Sequence, residues 1–198
     1  MKNRTIIHHG GRPMKLDFPK QELLNHWATH VSDTTVIAAM LYFIGINEKW
    51  QNILELGTGQ GLTGTALHEV VEKTNGKILT VDILPDNDRR SLPKSQRIHE
   101  LIESTHNVSA VKKVLHELEM DELDCIWIDA DHRKEAVKQD FEDYNHLIRP
   151  EGMILFHDVC VLDPECEVPE WWMDTEFPGF EKFTLSFNNG LGMLRKIS

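Results

Sequence analysis

Paired cysteines are missing from this 198-residue chain. Its three cysteines, Cys125, Cys160 and Cys166, are odd in number and show no CxxC spacing. That argues against a disulfide framework and against a structural zinc site built on such pairs. Cys125 lies in an apolar run and reads as a small core residue. Positive charge is also scarce, with 21 Lys and Arg against 32 Asp and Glu and a formal net charge of −11. Such a surface repels phosphate backbones, so nucleic acid is not an expected partner. The compact basic pair Arg89-Arg90 reads as solvated. No apolar run is long enough to span a bilayer, and Met1-Lys2-Asn3-Arg4 is followed by no apolar segment of the secretory kind. The expectation is a soluble, cytoplasmic protein with no membrane partner. Internal repeats and low-complexity segments are absent too.

What is present is a core. Hydrophobic residues make up 40% of the chain, and the length suits one domain. Residues 1–50 read as an N-terminal arm and helices packing on the core, and residues 51–198 as the functional unit of that single domain. The arm to Pro19 is polar, with Gly10-Gly11 and prolines, and predicts irregular structure. Leu23, Leu24 and Trp27 fit one helical face over Lys20 to His30. A second helix begins at the Ser32/Asp33 cap, carries Val36, Ile37, Met40, Leu41 and Ile44, and ends near Gly45.

Beyond that point strands and helices alternate. Strands are predicted at Asn52–Leu56, Lys77–Asp82, Val108–Lys112, Leu123–Asp129 and Met153–His157. Helices are predicted at Leu62–Lys73, Lys94–Thr105 and Lys134–Leu147, and Arg149-Pro150-Glu151-Gly152 reads as a turn. This alternation means a doubly wound, mostly parallel α/β sheet with helices on both faces. Phe183–Phe187 and Leu191–Lys196 flank Asn188-Asn189-Gly190, so an antiparallel C-terminal hairpin should close the sheet.

The most informative stretch is Glu55-Leu56-Gly57-Thr58-Gly59-Gln60-Gly61, between the first strand and first helix of the α/β unit. Glycines there permit a tight turn and close approach of a ligand, and the helix that follows offers unsatisfied N–H groups. Two nucleoside cofactors compete. Gly59-Gln60-Gly61-Leu62-Thr63-Gly64 matches GxGxxG and Asp82 follows at a fitting distance, which suits NAD and an oxidoreductase. Glu55, however, would repel a pyrophosphate and suits a cofactor bearing an ammonium group. S-adenosylmethionine (SAM) has an amino-acid tail and no phosphate, so Glu55 favours SAM. Asp82, ending the second strand, is placed to accept both ribose hydroxyls.

Asp129-Ala130-Asp131-His132 closes one strand and His157-Asp158 the next. If the strands are neighbours, their ends meet over one cleft. Asp129, His157 and Asp158 are then candidate ligands of a divalent cation. Two carboxylates with waters suit magnesium, and the histidine moves the preference toward manganese, iron or zinc. The bland alternatives are a capping Asp158 and a satisfied, near-core His157. His132 is a candidate general base.

At these residues the chain resembles the class I SAM-dependent methyltransferases. The likeness is strongest to the small O-methyltransferase-like branch that includes cephalosporin-hydroxylase-type and macrolide-sugar methyltransferase domains. The carrying segments are Ile53 to Gly61, Val81-Asp82, Trp127 to His132, and Arg149 to Gly152 with His157-Asp158. The resemblance implies a Rossmann-like seven-stranded sheet with one antiparallel strand. It implies that Glu55, Gly57, Thr58, Gly59 and Gly61 hold the methionine part of SAM, and that Asp82 holds its ribose. Asp129 is implicated in catalysis, cofactor contact and metal ligation, Asp158 in metal ligation, and His132 as base. Relatives often carry an acid or amide where His157 stands.

The expected reaction is therefore metal-assisted O-methylation of a small-molecule hydroxyl, on a vicinal diol, sugar or catechol-like acceptor. The alternatives are the NAD oxidoreductase and a SAM-binding domain without catalysis. Leu84 to Gln96 and Val159 to Trp172 are loop-like and expected to carry acceptor contacts. Trp171-Trp172 fits three roles: stacking on an acceptor, core packing, or contact within a homo-oligomer.

Overall fold

In the central strands, apolar side chains occupy both odd and even positions, so both faces of the sheet need cover. The computed structural model describes residues 6–9, 12–15, 33–84 and 92–197. Helices α1 (Asp33–Glu48), α2 (Leu62–Thr74), α3 (Val108–Glu117), α4 (Lys134–Tyr144) and α5 (Val168–Asp174) supply that cover. The strands are β1 (Ile6–His9), β2 (Arg12–Lys15), β3 (Asn52–Leu56), β4 (Lys77–Asp82) and β5 (Ile98–Ile102), then β6 (Leu123–Ile128), β7 (Ile148–His157), β8 (Phe180–Leu185) and β9 (Leu191–Lys196).

Seven strands form one sheet in the order β5-β4-β3-β6-β7-β9-β8. The pairs β4/β5, β3/β4, β3/β6 and β6/β7 are parallel. β9 runs antiparallel to both β7 and β8. The doubly wound sheet and its closing hairpin are as the sequence predicts. From β3 the chain builds outward to β5, then returns to place β6 on the other side of β3. That reversal opens a crevice at the carboxyl ends of β3 and β6.

Parity sorts the core. Leu54, Leu56, Leu79, Val81, Ile126, Ile128, Ile154 and Phe156 pack with Val111 and Leu115 of α3, Val137 and Tyr144 of α4, and Trp171 and Trp172 of α5. Ile53, Ile78, Cys125, Trp127 and Leu155 pack on the opposite face with Ile37 and Leu41 of α1 and Leu67 and Val70 of α2. Trp171 and Trp172 are buried, so of their three candidate roles it is core packing that they take. Each buried Leu, Ile or Val contributes roughly 1.5–3 kcal/mol, which outweighs a helix-interior glycine costing about 1 kcal/mol. Gly45 is such a glycine. α1 runs through it to Glu48 instead of stopping, and close packing calls for the glycine there: a Cβ would stand 2.7 Å from Trp50 and 2.9 Å from Val70.

Other expectations are corrected. The 94–105 segment holds strand β5, not a helix, and 108–112 opens helix α3, not a strand. Ile98 and Leu101 have helical spacing, but as an edge strand β5 pairs only with β4 and half-buries its side chains. Asn107 caps α3 by accepting from the Ala110 N–H, and a helix there lets β5 cross back to β6. Arg149 to Gly152 belongs to a ten-residue β7, with a register shift against β6 and Glu151 at φ 63°. The arm contains the antiparallel β1/β2 pair, in which His9 stands opposite Arg12. The helix expected over 20–30, with Leu23, Leu24 and Trp27, lies outside the described residues, as does 85–91 of the loop after β4. No helix among the described residues is long and apolar enough to cross a membrane.

Candidate active site

The turn after β3 is folded by its glycines and fixed by the neighbouring strands. The Gly57 N–H donates to the Val81 carbonyl at 2.9 Å, and the Asp129 N–H donates to the Leu56 carbonyl at 2.8 Å. Gly57 has φ 92°, and a Cβ there would meet the Asp129 carbonyl oxygen at 2.0 Å. No other residue fits. Gly59, one step on, would place a Cβ in open space. Asp82 braces this turn from the end of β4: its Oδ2 accepts the Gly59 N–H at 2.8 Å and its Oδ1 the Leu84 N–H at 2.9 Å.

Glu55 stands behind the turn and is fully buried. The Thr63 hydroxyl donates to its Oε1 at 2.7 Å and the Thr80 hydroxyl to its Oε2 at 2.6 Å. With the Thr80 hydrogen so used, Thr58 donates to Thr80 across 2.5 Å. The chain answers a buried carboxylate with hydroxyls, which lowers the cost of its desolvation. Glu55, Thr58 and Gly61 therefore shape the turn from beneath and are not on the cleft wall.

The wall encloses about 610 Å³ and includes Gly57, Gly59, Asp82, Asp129 and His132. Ser104, Thr105 and His106, on the turn after β5, line it too. Sequence reasoning missed these three because it placed a helix over Lys94–Thr105 and assigned His106, just beyond it, no role. Strand order is the signal that finds them, since β5 lies beside β4 and ends over the same crevice. Behind His106 is Asp140 of α4, fully buried, its Oδ1 at 3.4 Å from His106 Nε2. Burial pushes the Asp140 carboxyl up to about 6.

At the far end of the wall, β6 and β7 deliver their terminal residues side by side. His157 Nδ1 lies 3.3 Å from Asp129 Oδ1 and 3.2 Å from Asp158 Oδ1. His132 Nε2 lies 3.5 Å from Asp129 Oδ1 and 3.2 Å from Asp158 Oδ2. Two carboxylates thus face two imidazoles. Burial disfavours the charged form of His157, but its close contacts with the Asp129 and Asp158 carboxylates outweigh it and raise the ring to about 11. The hydrogen bond with Asp129 raises His132 against burial, and the Asp158 charge adds to it. Burial likewise opposes ionisation of Asp129, yet its two histidine partners hold it below the usual carboxylate value.

The donor atoms of Asp129, His157 and Asp158 all lie within 4.8 Å of one another. Asp158 Oδ1 is buried, and its 3.2 Å contact with His157 Nδ1 is not aligned as a hydrogen bond; Asp158 itself sits at φ 60°, in the left-handed region. A buried, under-satisfied carboxylate oxygen beside a second carboxylate and an imidazole is a donor set that fits a divalent cation. His132, Asp158 and Cys166 form a second group of the same tightness.

Comparison with known proteins places the chain in a family. A family model described as a methyltransferase domain matches residues 54–159. No curated protein matches the chain significantly in sequence. Solved structures share the fold. The SAH-bound methyltransferase PaMTH1 of Podospora anserina superposes with a TM-score of 0.66 at 18% identity, covering 91% of this chain and 89% of that one. An O-methyltransferase from Bacillus cereus in complex with SAH gives 0.64 at 19% identity, covering 89% of each chain. MycE, from the mycinamycin biosynthetic pathway and in complex with Mg and SAH, gives 0.60 at 15% identity, covering 89% of this chain and 54% of that one. The family match spans the glycine turn, the β4 acid and both strand ends of the charged cluster, and it decides against the oxidoreductase alternative: the chain belongs to the methyltransferase-domain family.

Proposed function

We propose that this chain transfers the methyl group of SAM to a hydroxyl of a small molecule, with a divalent cation held by Asp129, His157 and Asp158. The observation that carries the reading is the adjacency of two unlike features on one wall. A glycine turn braced by Asp82 sits beside a cluster of two carboxylates and two imidazoles, one oxygen of which lacks a hydrogen bond. The cavity volume suits a nucleoside-sized ligand, and the open space over Gly59 is a cradle that a larger residue would fill. The MycE complex with Mg and SAH supports the pairing of cation and cofactor.

When bound, SAM supplies an electrophilic methyl on a good leaving group, and a cation beside the acceptor lowers the pKa of its hydroxyl. The chain's own residues do the rest. Gly57 and Gly59 let the cofactor approach the backbone, and the Asp82 carboxylate, on the cavity wall, accepts from the ribose hydroxyls. Ser104 to His106 line the end of the cavity beyond Asp82. His132, whose side chain is 46% exposed, is accessible to an acceptor and takes its proton at Nε2. It does so only when Asp129 and Asp158 are engaged elsewhere, because those carboxylates otherwise hold the proton on the ring. Glu55 acts at one remove, through the threonine hydroxyls that fix the turn.

The test is a methyl-transfer assay with labelled SAM against catechol-like, vicinal-diol and sugar acceptors, with magnesium or manganese and with chelator. Label should pass to an oxygen of one acceptor class and stop on chelation. Transfer undiminished by exhaustive chelation would overturn the role of the cation. Retention of all label on SAM across every acceptor class, with SAH bound, would favour a binding domain without catalysis.

A further inference from the structure

The loop after β7 brings a sulfur donor to the charged cluster. Cys166 precedes α5, and its Sγ lies within 4.8 Å of ligand atoms of both His132 and Asp158. The placement is held by backbone. The Glu167 N–H donates to the His132 carbonyl at 2.8 Å, and the Cys166 N–H donates to the Asp163 carbonyl at 3.1 Å. Glu167 Oε2 in turn accepts the Lys134 N–H at 2.7 Å, tying the loop to the start of α4. Asp158 is 6% exposed, with Oδ1 lacking a hydrogen bond.

We propose that His132, Asp158 and Cys166 form a second cation site, for a thiophilic ion of the zinc class, which shares Asp158 with the first and occupies the base. The donor chemistry separates the two. Asp129, His157 and Asp158 offer oxygen and nitrogen, whereas thiolate, imidazole and carboxylate together select zinc-like ions over magnesium. Tetrahedral ligation with bonds of about 2.0–2.3 Å sets donor pairs about 3.3–3.8 Å apart. His132 Nε2 and Asp158 Oδ2 already lie at 3.2 Å, so the site needs small side-chain movements and no refolding. An ion there uses the lone pair of His132 that would accept the acceptor's proton. Zinc-class ions should therefore inhibit, and this consequence, unlike the binding itself, rests on His132 being the base.

The test is cobalt titration of the full chain, followed by the near-ultraviolet thiolate-to-cobalt charge-transfer band. Wild type should show the band. Cys166→Ser should lose it and weaken cobalt binding about tenfold or more, as should His132→Asn, whereas Cys160→Ser should keep it. SAH binding, measured on the same preparations, reports that each variant is folded. Absence of the band in wild type, or its persistence in Cys166→Ser, overturns the site. If the band is absent while SAH binds and chelator-sensitive transfer proceeds, this second site falls and the methyltransferase reading stands. If the band behaves as expected while SAH does not bind, the reverse holds.

Discussion

The two ends of the cleft are built on opposite principles. At the glycine turn, backbone and carboxylate satisfy one another. Gly57 and Gly59 donate to a carbonyl and to Asp82, and Glu55 is met by two threonine hydroxyls. At the ends of β6 and β7, charge is concentrated and a buried carboxylate oxygen accepts no hydrogen bond. The first end is internally hydrogen-bonded and shaped for close approach; the second concentrates two carboxylates and two imidazoles. Binding and chemistry should therefore be separable by mutation.

The sharpest separation is expected at Asp129. Asp129→Ala should lower methyl transfer by about a thousandfold or more, in line with losing charge stabilisation at a reacting centre, while SAH affinity changes only a few-fold. Initial rates and calorimetry check this, and parallel losses in both would break the comparison. His132→Gln should cost about a hundredfold in rate. In wild type the rate should rise with pH through the imidazole's titration, which the Asp129 carboxylate moves up only while no cation engages it. The variant should lose that rise, and an unchanged pH profile would assign the base elsewhere.

Gly57→Ala attacks the other end. A Cβ 2.0 Å from the Asp129 carbonyl, at φ 92°, should destabilise the fold by roughly 2–4 kcal/mol and abolish SAH binding. Denaturant unfolding measures the first effect, and wild-type stability in the variant would contradict the geometry. The smallest effect concerns Asp140. Its native pKa, about 6, exceeds the ordinary 3.8, so the native state binds the proton more tightly and stability falls as pH rises across that window. Asp140→Asn should gain roughly 2–3 kcal/mol at pH 7, less whatever the His106 contact contributes, and lose that gain near pH 4. Equal gains at both pH values would show that the carboxyl is not strained by burial.

The motifs that face the cleft were legible because each combines a strand with its terminating residue. Gly57 after Leu56, Asp82 after Val81, and Asp129 after Ile128 could be read from a buried run ending in a polar residue. The exchange of β5 and α3 was not legible. An edge strand buries too little to leave a strong period, and Ile98 and Leu101 fit a helical stripe equally well. That error hid Ser104 and Thr105. Glu55 was found as an acid in the right place, but its direction was not readable, since Thr63 and Thr80 meet it only once the sheet has formed. Cys166 carried no spacing signal, and its nearness to His132 depends on a backbone hydrogen bond formed only in the fold, from the Glu167 N–H to the His132 carbonyl.

The separation of the two ends is tested most directly by calorimetric titration of SAH into wild type, Asp82→Ala and Asp129→Ala. The expected result is binding to wild type, at least about tenfold weaker binding to Asp82→Ala, and near-wild-type affinity for Asp129→Ala, with no heat from NADH. Binding of NADH in place of SAH, or equal loss of SAH affinity in the two variants, would contradict it.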